Sequence, residues 1–480
     1  MVRQIEAFIR NFSKEVKENN AAIFAGAGLS VGAGFVDWKR LLSPITEELG
    51  LDVDKEDNLV SVAQYHCNEK LQNRNRLNQL LINEFNRDAE LTENHKILAR
   101  LPISTYWTTN YDKLIEKALE MAHKVPDVKY TINQLATTRP KRDVIVYKMH
   151  GDVDHPDQAV LTKDDYESYH IRSAPFITAL SGDLVSKTFL FLGFSFTDPN
   201  IDYILSRIRA TYTNHQREHY CIMKAISRSE KESEADFEYR QRKQALFISD
   251  LKRFNITTLL VDDYTQITEI LKRIESIYKL KTVFISGSAH EYGPMDRDKA
   301  ENFIHELSKK LISREYKIVS GFGLGVGSAV INGALEEIYT RSKKTTDEQL
   351  ILRPFPQNQT GAIPQKVLWD DYRKDMIPLA GTALFLFGNK IQDGAVVPAN
   401  GVEREFEIAL ESGLRVVPVG ATGYVAEKLW KEVSADLGKY HPGYSKEFEE
   451  NFMEIGNSAL ELDALLESVV KLLDKIIRRG

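Results

Sequence analysis

Cysteine is scarce in this chain, and its scarcity excludes several kinds of site. The 480 residues include two cysteines, Cys67 and Cys221, which lie far apart and outside any Cys-x-x-Cys pair. A disulfide framework needs several paired cysteines, and a structural zinc site needs about four ligands at close spacing. We therefore expect no disulfide scaffold, no bound metal and a reducing compartment.

Excess positive charge and long apolar segments are also lacking. The chain has 63 Lys and Arg against 69 Asp and Glu, a formal net charge of −6. Without a basic footprint we expect no nucleic-acid partner. The longest apolar stretch, residues 188–196, is about half of the ~18 residues that a membrane span needs. Residues 1–6 are amphipathic and carry an acid, unlike a signal peptide, so we expect a cytoplasmic protein with no membrane partner.

Short apolar runs alternate with segments of helical periodicity along both halves of the chain. Runs rich in β-branched and aromatic residues predict strands at residues 103–108, 144–149, 188–194, 220–223 and 256–261, and again at 283–286, 318–320, 350–352, 383–387 and 416–419. Strands that alternate with helices are typical of a parallel sheet covered on both faces. Because 480 residues exceed one hydrophobic core, we predict an α/β protein with two Rossmann-like parallel-sheet domains, residues 1–280 and 281–480.

Glycine-rich turns follow predicted strands in both halves. The first is Gly26-Ala27-Gly28-Leu29-Ser30, and the second half has a pair, Ser286-Gly287-Ser288 and Gly321-Phe322-Gly323-Leu324-Gly325. Glycine lets the backbone approach a pyrophosphate closely, and the N–H groups of the following helix face its negative charge. Two such turns predict two nucleotide sites with separate functions.

Four segments of the first half resemble the sirtuin fold in their order and residue types. They are Gly26–Ser30 with the following Gly34-Phe35-Val36-Asp37-Trp38, then Thr108-Thr109-Asn110-Tyr111-Asp112, Lys148-Met149-His150-Gly151-Asp152 and Gly193-Phe194-Ser195. The resemblance covers roughly residues 21–261 and implies NAD+ as the substrate. It implies catalytic roles for Asn110 and His150, and NAD binding by Ala25, Gly26, Gly28, Ser30, Asp37, Thr109, Asp112, Gly193 and Ser195.

The chemistry of nicotinamide cleavage fits these residue types. Breaking the bond builds positive charge on the ribose, so the enzyme needs a clamp on the ribose, an oriented water and a base. The Asn110 amide donates and accepts at once, and His150 titrates near neutral pH as a general base does. The alternatives are that His150 is structural and that Asn110 caps a helix beginning at Tyr111.

The absence of a zinc-binding module distinguishes NAD+ hydrolysis from protein deacylation. Protein-deacylating sirtuins carry two Cys-x-x-Cys pairs beside the peptide groove, and this chain has none. Their absence favours attack by water, which is NAD+ hydrolysis, over removal of an acyl group from lysine. A deacylase remains an alternative, as does a non-enzymatic nucleotide-binding scaffold, which would need neither Asn110 nor His150.

Residues 282–423 resemble the SLOG superfamily of nucleotide-binding domains. Related phosphoribohydrolases carry a Pro-Gly-Gly-x-Gly-Thr turn before a helix with a pair of glutamates. The matching segment here is Leu386-Phe387-Gly388-Asn389-Lys390, whereas Glu403 and Glu405 follow as in those enzymes. The resemblance implies that ligand binding is retained and hydrolysis lost, so we expect a sensor domain.

The combination of the two domains resembles the ThsA family, the effectors of the Thoeris anti-phage system. This resemblance implies a TIR-domain partner protein, which makes a cyclic ADP-ribose isomer as the activator. It also implies that the chain forms a homo-oligomer, expected to be a tetramer with higher assembly upon activation. The resulting NAD depletion is expected to end in abortive infection. The residues it assigns to the activator are Gly287, Ser288, Gly323, Leu324, Gly325, Arg373, Lys390 and Glu405. The alternative is that Arg373 and Lys390 are surface charges, with Arg373 in local ion pairs of residues 370–375.

Overall fold

The first glycine-rich turn follows the central strand of a seven-stranded parallel sheet. A computed structural model describes residues 2–212, 216–230, 232–340, 349–356 and 361–479. They form two units, Met1–Glu275 and Ser276–Gly480, which divide slightly before the boundary expected from the sequence. The predicted α/β class with two parallel sheets is confirmed.

The first sheet has the order β3-β4-β2-β1-β5-β6-β7, with neighbouring strands parallel throughout. Its strands are β1 (Ala21–Ala25), β2 (Thr105–Thr108), β3 (Pro126–Lys129), β4 (Val144–Lys148), β5 (Thr188–Leu192), β6 (His219–Lys224) and β7 (Ile256–Val261). Both β1 and β5 are buried at every residue, as expected of strands covered on both faces.

Helices accompany this sheet along the whole unit. They are α1 (Val2–Lys17), α2 (Ala27–Val31), α3 (Trp38–Glu48), α4 (Leu59–Glu69), α5 (Asn75–Phe85), α6 (Glu93–Arg100), α7 (Leu114–Met121), α8 (Ile132–Leu135), α9 (Lys163–Arg172), α10 (Ala174–Ser186), α11 (Pro199–Thr211), α12 (Glu234–Leu251) and α13 (Thr265–Lys279), with short 3-10 turns at Pro156–Gln158 and Lys252–Phe254. The first of them buries Phe8, Ile9, Phe12 and Val16, which recur at helical spacing.

The topology brings three strand ends together at one edge of the first sheet. Strand β1 pairs with β2 on one side and β5 on the other, so that Ala25 lies opposite both Thr108 and Leu192. The strand order therefore reverses at β1, and the turns that leave these three strands border one crevice. Open α/β sheets bind ligands at such a switch point.

The second unit repeats this arrangement with five parallel strands in the order β10-β9-β8-β11-β14. The strands are β8 (Thr282–Ser288), β9 (Lys317–Ser320), β10 (Leu350–Leu352), β11 (Thr382–Phe387) and β14 (Arg415–Pro418), and β12 (Asn389–Gln392) pairs with β13 (Ala395–Pro398) in a separate antiparallel hairpin. The sequence did not predict this hairpin.

The helices of the second unit pack around a large apolar core that includes Phe284, Phe385 and Leu472. They are α14 (Arg297–Ser313), α15 (Gly327–Thr340), α16 (Gln365–Met376), α17 (Asn400–Glu411), α18 (Tyr424–Ala435), α19 (Leu437–Tyr440), α20 (Lys446–Glu454) and α21 (Leu462–Arg479), with 3-10 turns at Ile377–Leu379 and Gly420–Thr422. Across the described ranges of both units, no helix is long and apolar enough to cross a membrane.

Candidate functional site

The turn after β1 packs directly against the turn after β5. Gly28 N–H donates to the carbonyl oxygen of Gly193 at 2.9 Å, and Gly193 has a φ of +63°. A Cβ atom on Gly193 would lie 2.2 Å from the backbone nitrogen of Leu29, and one on Gly26 would lie 2.4 Å from the Gly193 carbonyl oxygen. The close contact between the two backbones requires glycine at both positions. This contact also places the N-terminus of α2 at the crevice.

The crevice is a cavity of about 300 Å³, which we call the first cavity. Its wall includes residues from each of the sirtuin-like segments: Gly28, Ser30, Asp37, Thr109, Asn110, Asp112, His150, Gly193 and Ser195. Of the expected NAD-binding residues, Ala25 and Gly26 lie behind this wall: Ala25 is fully buried and accepts a hydrogen bond from Thr108 Oγ1. The sequence missed the contributions of Tyr166, Thr197 and Asp198 to the wall.

The Asn110 amide is fixed through its nitrogen. Nδ2 donates to the carbonyl oxygen of Gly26 and to Ser30 Oγ, each at 3.1 Å. Ser30 Oγ in turn donates to Asp112 Oδ2 at 2.8 Å. Asn110 Oδ1 is buried and has no hydrogen-bond partner within the described part of the chain. The network therefore leaves a buried acceptor on the cavity wall, where a ligand hydroxyl or a water would satisfy it.

The alternative role of Asn110 as a helix cap is wrong. The next helix, α7, begins at Leu114, and its N-cap residue is Lys113. It is Asp112 that accepts the Leu114 N–H, through Oδ1 at 2.9 Å. Asp37 does cap a helix, since Oδ1 accepts the Arg40 N–H at the start of α3.

His150 is buried between aromatic rings and a carboxylate. Its ring meets Tyr166 and Tyr169 edge-on, at centroid distances of 5.4 and 6.1 Å. Nε2 lies 3.3 Å from Asp198 Oδ2, within ion-pairing distance but without the alignment of a hydrogen bond. Burial lowers the pKa of His150 from its usual value, and the nearby carboxylates of Asp198 and Asp165 oppose that shift. The imidazole is therefore mainly neutral at pH 7 and able to accept a proton.

The second unit has a comparable cavity of about 480 Å³ at the ends of β8 and β9, which we call the second cavity. Seven of the eight residues expected to bind an activator lie on its wall: Gly287, Ser288, Gly323, Leu324, Arg373, Lys390 and Glu405. Gly325 lies elsewhere, with its carbonyl oxygen bound to Tyr292 Oη and a φ of +71°. A Cβ atom on Gly325 would lie 2.0 Å from the carbonyl oxygen of Ala289.

A buried pair of opposite charges lines the second cavity. Glu405 Oε1 accepts Arg373 Nε at 3.1 Å, and Oε2 accepts Ser286 Oγ at 2.6 Å. The Arg373 guanidinium also lies over the Phe355 ring, 4.9 Å from its centroid. The expected alternative of local ion pairs is wrong, because Asp370 pairs with Lys374 and Arg404 instead. Lys390 Nζ donates to Asn400 Oδ1 rather than to a carboxylate.

Burial raises the pKa of Glu405, while Arg373 and Ser286 oppose the shift. The wall of the second cavity combines the Arg373 cation and the Glu405 carboxyl group with the aromatic rings of Phe355 and Trp369. Such a set suits a ligand with phosphates, hydroxyl groups and a flat base.

Within the described ranges, no group of three or more His, Cys, Asp or Glu side chains is placed to hold a metal ion.

Both units match known families. Residues 104–247 match the SIR2-like domain family, and residues 266–476 match the Sir2- and TIR-associating SLOG family. The fold and the two cavities thus define a protein in which a SIR2-like domain is joined to a SLOG domain.

Nearly the whole chain is similar to proteins named NAD(+) hydrolase ThsA. It is 59% identical over 470 residues to the one from Bacillus cereus (strain MSX-D12), covering 98% of each chain. It is 50% identical over 469 residues to that of Acinetobacter baumannii (strain 532279), covering 96% of each, and 47% identical over 481 residues to that of Cytobacillus dafuensis, covering 98% of this chain and 97% of that protein. The chain belongs to the ThsA family.

Proposed function

We propose that this chain hydrolyses NAD+ to nicotinamide and ADP-ribose in the first cavity. The observation that carries the proposal is the buried, unpartnered Asn110 Oδ1 on a wall that also holds His150. The names of the relatives support the same activity. A nucleotide-binding scaffold would use such an acceptor for a ligand hydroxyl, but it would have no need of a neutral imidazole on the same wall.

The residues of the first cavity divide the chemistry between them. The bond between the ribose C1′ and the nicotinamide nitrogen breaks, and its electron pair leaves with nicotinamide. A water oxygen then bonds to C1′ and loses a proton. Asn110 Oδ1 orients the water or a ribose hydroxyl, and His150 accepts the proton, which later passes to solvent. Asn110 Nδ2 cannot turn toward the ligand without losing its hydrogen bonds to Gly26 and Ser30, so the acceptor Oδ1 stays in place.

Hydrolysis is tested with purified full-length protein and NAD+. His150→Ala and Asn110→Ala should each lower the rate by at least ~10²-fold, the usual contribution of a positioned base. The matched controls are His170→Ala and Asn86→Ala, since both residues are exposed and neither lines the first cavity. Near-normal turnover by both site variants would remove the assignment, and release of acyl groups from acyl-lysine peptides by the wild type would favour the deacylase.

The second cavity is proposed to sense a cyclic ADP-ribose isomer that switches this activity on. In this proposal a TIR-domain protein makes the isomer upon phage infection, and the resulting NAD loss in the cytoplasm causes abortive infection. The buried Arg373–Glu405 pair supports it, because a guanidinium binds phosphate in a bidentate manner and a carboxylate accepts from ribose hydroxyls. The name of the family that matches the second unit, which includes TIR association, points the same way.

Activator binding is tested by calorimetry with cyclic ADP-ribose isomers that differ in their cyclisation linkage. Arg373→Ala or Glu405→Ala should weaken binding by roughly 30-fold or more, because loss of one partner from a buried charged contact costs about 2–5 kcal/mol. Lys374→Ala is the matched control, since this neighbouring cation pairs with Asp370 outside that contact. Normal binding by both cavity variants would show that the activator site lies elsewhere.

Control of the activity is proposed to run through a homo-oligomer, expected to be a tetramer. A ligand changes activity only if it binds two arrangements of the protein unequally, and subunit interfaces supply such arrangements. A shift from mostly inactive to mostly active needs roughly 10⁴-fold preference for the active state. Small-angle scattering should change at saturating isomer together with the rate. Identical profiles while the rate rises would exclude subunit rearrangement.

A further inference from the structure

Asp198 is the carboxylate that faces His150, and its two oxygens have separate partners. Oδ1 caps α11 by accepting the N–H groups of Asn200 and Ile201, at 2.9 and 3.2 Å. Oδ2 lies 3.3 Å from His150 Nε2 and accepts the Tyr166 hydroxyl at 3.3 Å. The Asp198 side chain is 10% exposed. The helix cap therefore holds the carboxylate still while its other oxygen is directed at the imidazole.

We propose that Asp198 is a positioning residue for hydrolysis and acts through His150. The negative charge on its Oδ2, 3.3 Å from Nε2, favours the tautomer with the proton on Nε2, which leaves the lone pair of Nδ1 to accept a proton. It then stabilises the imidazolium that forms. This inference rests on the function proposed above, in which the proton comes from the water that attacks C1′.

The charges around His150 single out Asp198 for this role. Helix α9 contributes Tyr166 and Tyr169, which contact the ring, and Asp165, a more distant carboxylate. Asp165 already serves other groups, since it pairs with Arg74 and accepts the backbone N–H groups at the start of α9. Within the described ranges no lysine or arginine forms an ion pair with Asp198. Its negative charge is therefore available to a histidine that gains a proton.

The proton balance closes with the residues already described. Water loses a proton as its oxygen bonds to C1′, and His150 Nδ1 takes that proton. The imidazolium then carries a positive charge in a buried position, where an unpaired charge is costly. Oδ2 of Asp198 is placed to offset that cost, and the proton later leaves to solvent when ADP-ribose departs.

The test is Asp198→Asn in the full-length protein, assayed with NAD+ across pH, with and without the cyclic ADP-ribose isomers. Asparagine retains a cap for α11 but not the charge. We expect kcat near pH 7 to fall by at least ~10-fold with little change in KM. The acid limb of the pH–rate profile should shift to lower pH by about one unit, because loss of a nearby carboxylate lowers the pKa of His150. Asp436→Asn alters an exposed helix cap that lines neither of the two cavities, and it should leave kcat and the pH profile unchanged.

A second measurement does not depend on turnover. Ring NMR signals of labelled histidines should place the His150 titration at lower pH in Asp198→Asn than in the wild type, with the signal assigned by its loss in His150→Gln. If the rate of Asp198→Asn fell equally at every pH and the His150 titration did not move, the inference would be overturned. Asp198 would then have only a structural role. If instead the wild type failed to hydrolyse NAD+, or if His150→Ala kept its rate, the proposed function would fail, and that outcome is distinguishable.

Discussion

The ammonium nitrogen of Lys148 lies 2.5 Å from Asp152 Oδ2, with the lysine side chain wholly buried in the first unit. The same nitrogen donates to the carbonyl oxygens of Tyr111 and Asp112 and lies 3.1 Å from Glu116 Oε1. Burial opposes its charge, but the surrounding carboxylates outweigh burial and raise the pKa of Lys148. The last residue of β4 thereby holds the segment that carries Asn110.

Replacing Lys148 by methionine should destabilise the protein by about 3–5 kcal/mol, because Asp152 and Glu116 would be left as buried charges without their cation. Urea unfolding measures the loss. Lys113→Met is the matched control: Lys113 pairs with Asp154 in a more exposed position, where such pairs contribute about 1 kcal/mol or less. Equal losses in the two variants would contradict a special role for the buried lysine.

Gly193→Ala should abolish hydrolysis and destabilise the first unit. The added Cβ would lie 2.2 Å from the backbone nitrogen of Leu29, and the residue has a φ of +63°, so the turns after β1 and β5 would have to separate. Gly182→Ala is the control, since nothing lies within 4 Å of its Cβ position inside α10. It should stabilise the helix by about 1 kcal/mol. Normal turnover by Gly193→Ala would show that close packing of these turns is dispensable.

Acidification should unfold the protein through its buried histidines. Burial lowers the pKa of both His219 and His441 from 6.5 to about 4. In unfolded chains these residues gain protons near pH 6.5, whereas the folded state gains them only near pH 4. Stability is therefore full above pH 6.5 and falls as the pH drops from 6.5 to 4, by up to about 1.4 kcal/mol per pH unit for each histidine.

Urea unfolding between pH 7 and pH 4.5 measures this slope. In the folded state His219 Nδ1 accepts the Phe189 N–H, which a protonated ring could not do. His219→Gln should thus have a shallower dependence on pH than the wild type. The exposed His170 offers the control, because His170→Gln should leave the slope unchanged. A stability that is flat from pH 7 to 4.5 would argue against the lowered pKa values.

Ser30→Ala should lower kcat/KM by roughly 10-fold, since the Asn110 amide would lose one of its two acceptors and Asp112 Oδ2 would lose the Ser30 hydroxyl. The protein should remain folded, because Asn110 Nδ2 keeps its bond to Gly26. Steady-state kinetics with NAD+ measure the change, and Ser186→Ala, an exposed serine of α10, is the control. An unchanged kcat/KM would mean that Gly26 alone orients the amide.

Most strands were predictable because buried parallel strands are continuous apolar runs. The predicted segments 256–261, 318–320 and 350–352 coincide with β7, β9 and β10. Strand β3 was missed: it begins at Pro126 and carries Asp127 and Lys129, whose charges pair with each other at 2.7 Å. Its composition argued against a strand, since Asp and Lys are depleted in strands and are buried here as a pair.

The roles of individual polar residues were harder to predict than the strands. Asn110 was placed correctly at the end of β2, but its amide bonds to Gly26 and Ser30, which lie 84 and 80 positions away. Arg373 sits in a run of charges, yet its partner Glu405 lies 32 positions further on. Asp198-Pro199 signals a helix start in the sequence, whereas nothing in the sequence connects Asp198 with His150.

The sequence by itself determined the strand–helix alternation, the positions of the glycine turns and the scarcity of metal-ligating cysteine, because each depends on residue type and local spacing. Only the tertiary structure decided which strand ends meet and which polar groups pair. Strand order in a parallel sheet is set by long crossovers and by burial of both faces. That order brings Gly28, Asn110, His150 and Gly193 to one cavity, and it turns Asp198 toward the imidazole at a distance that no local pattern encodes.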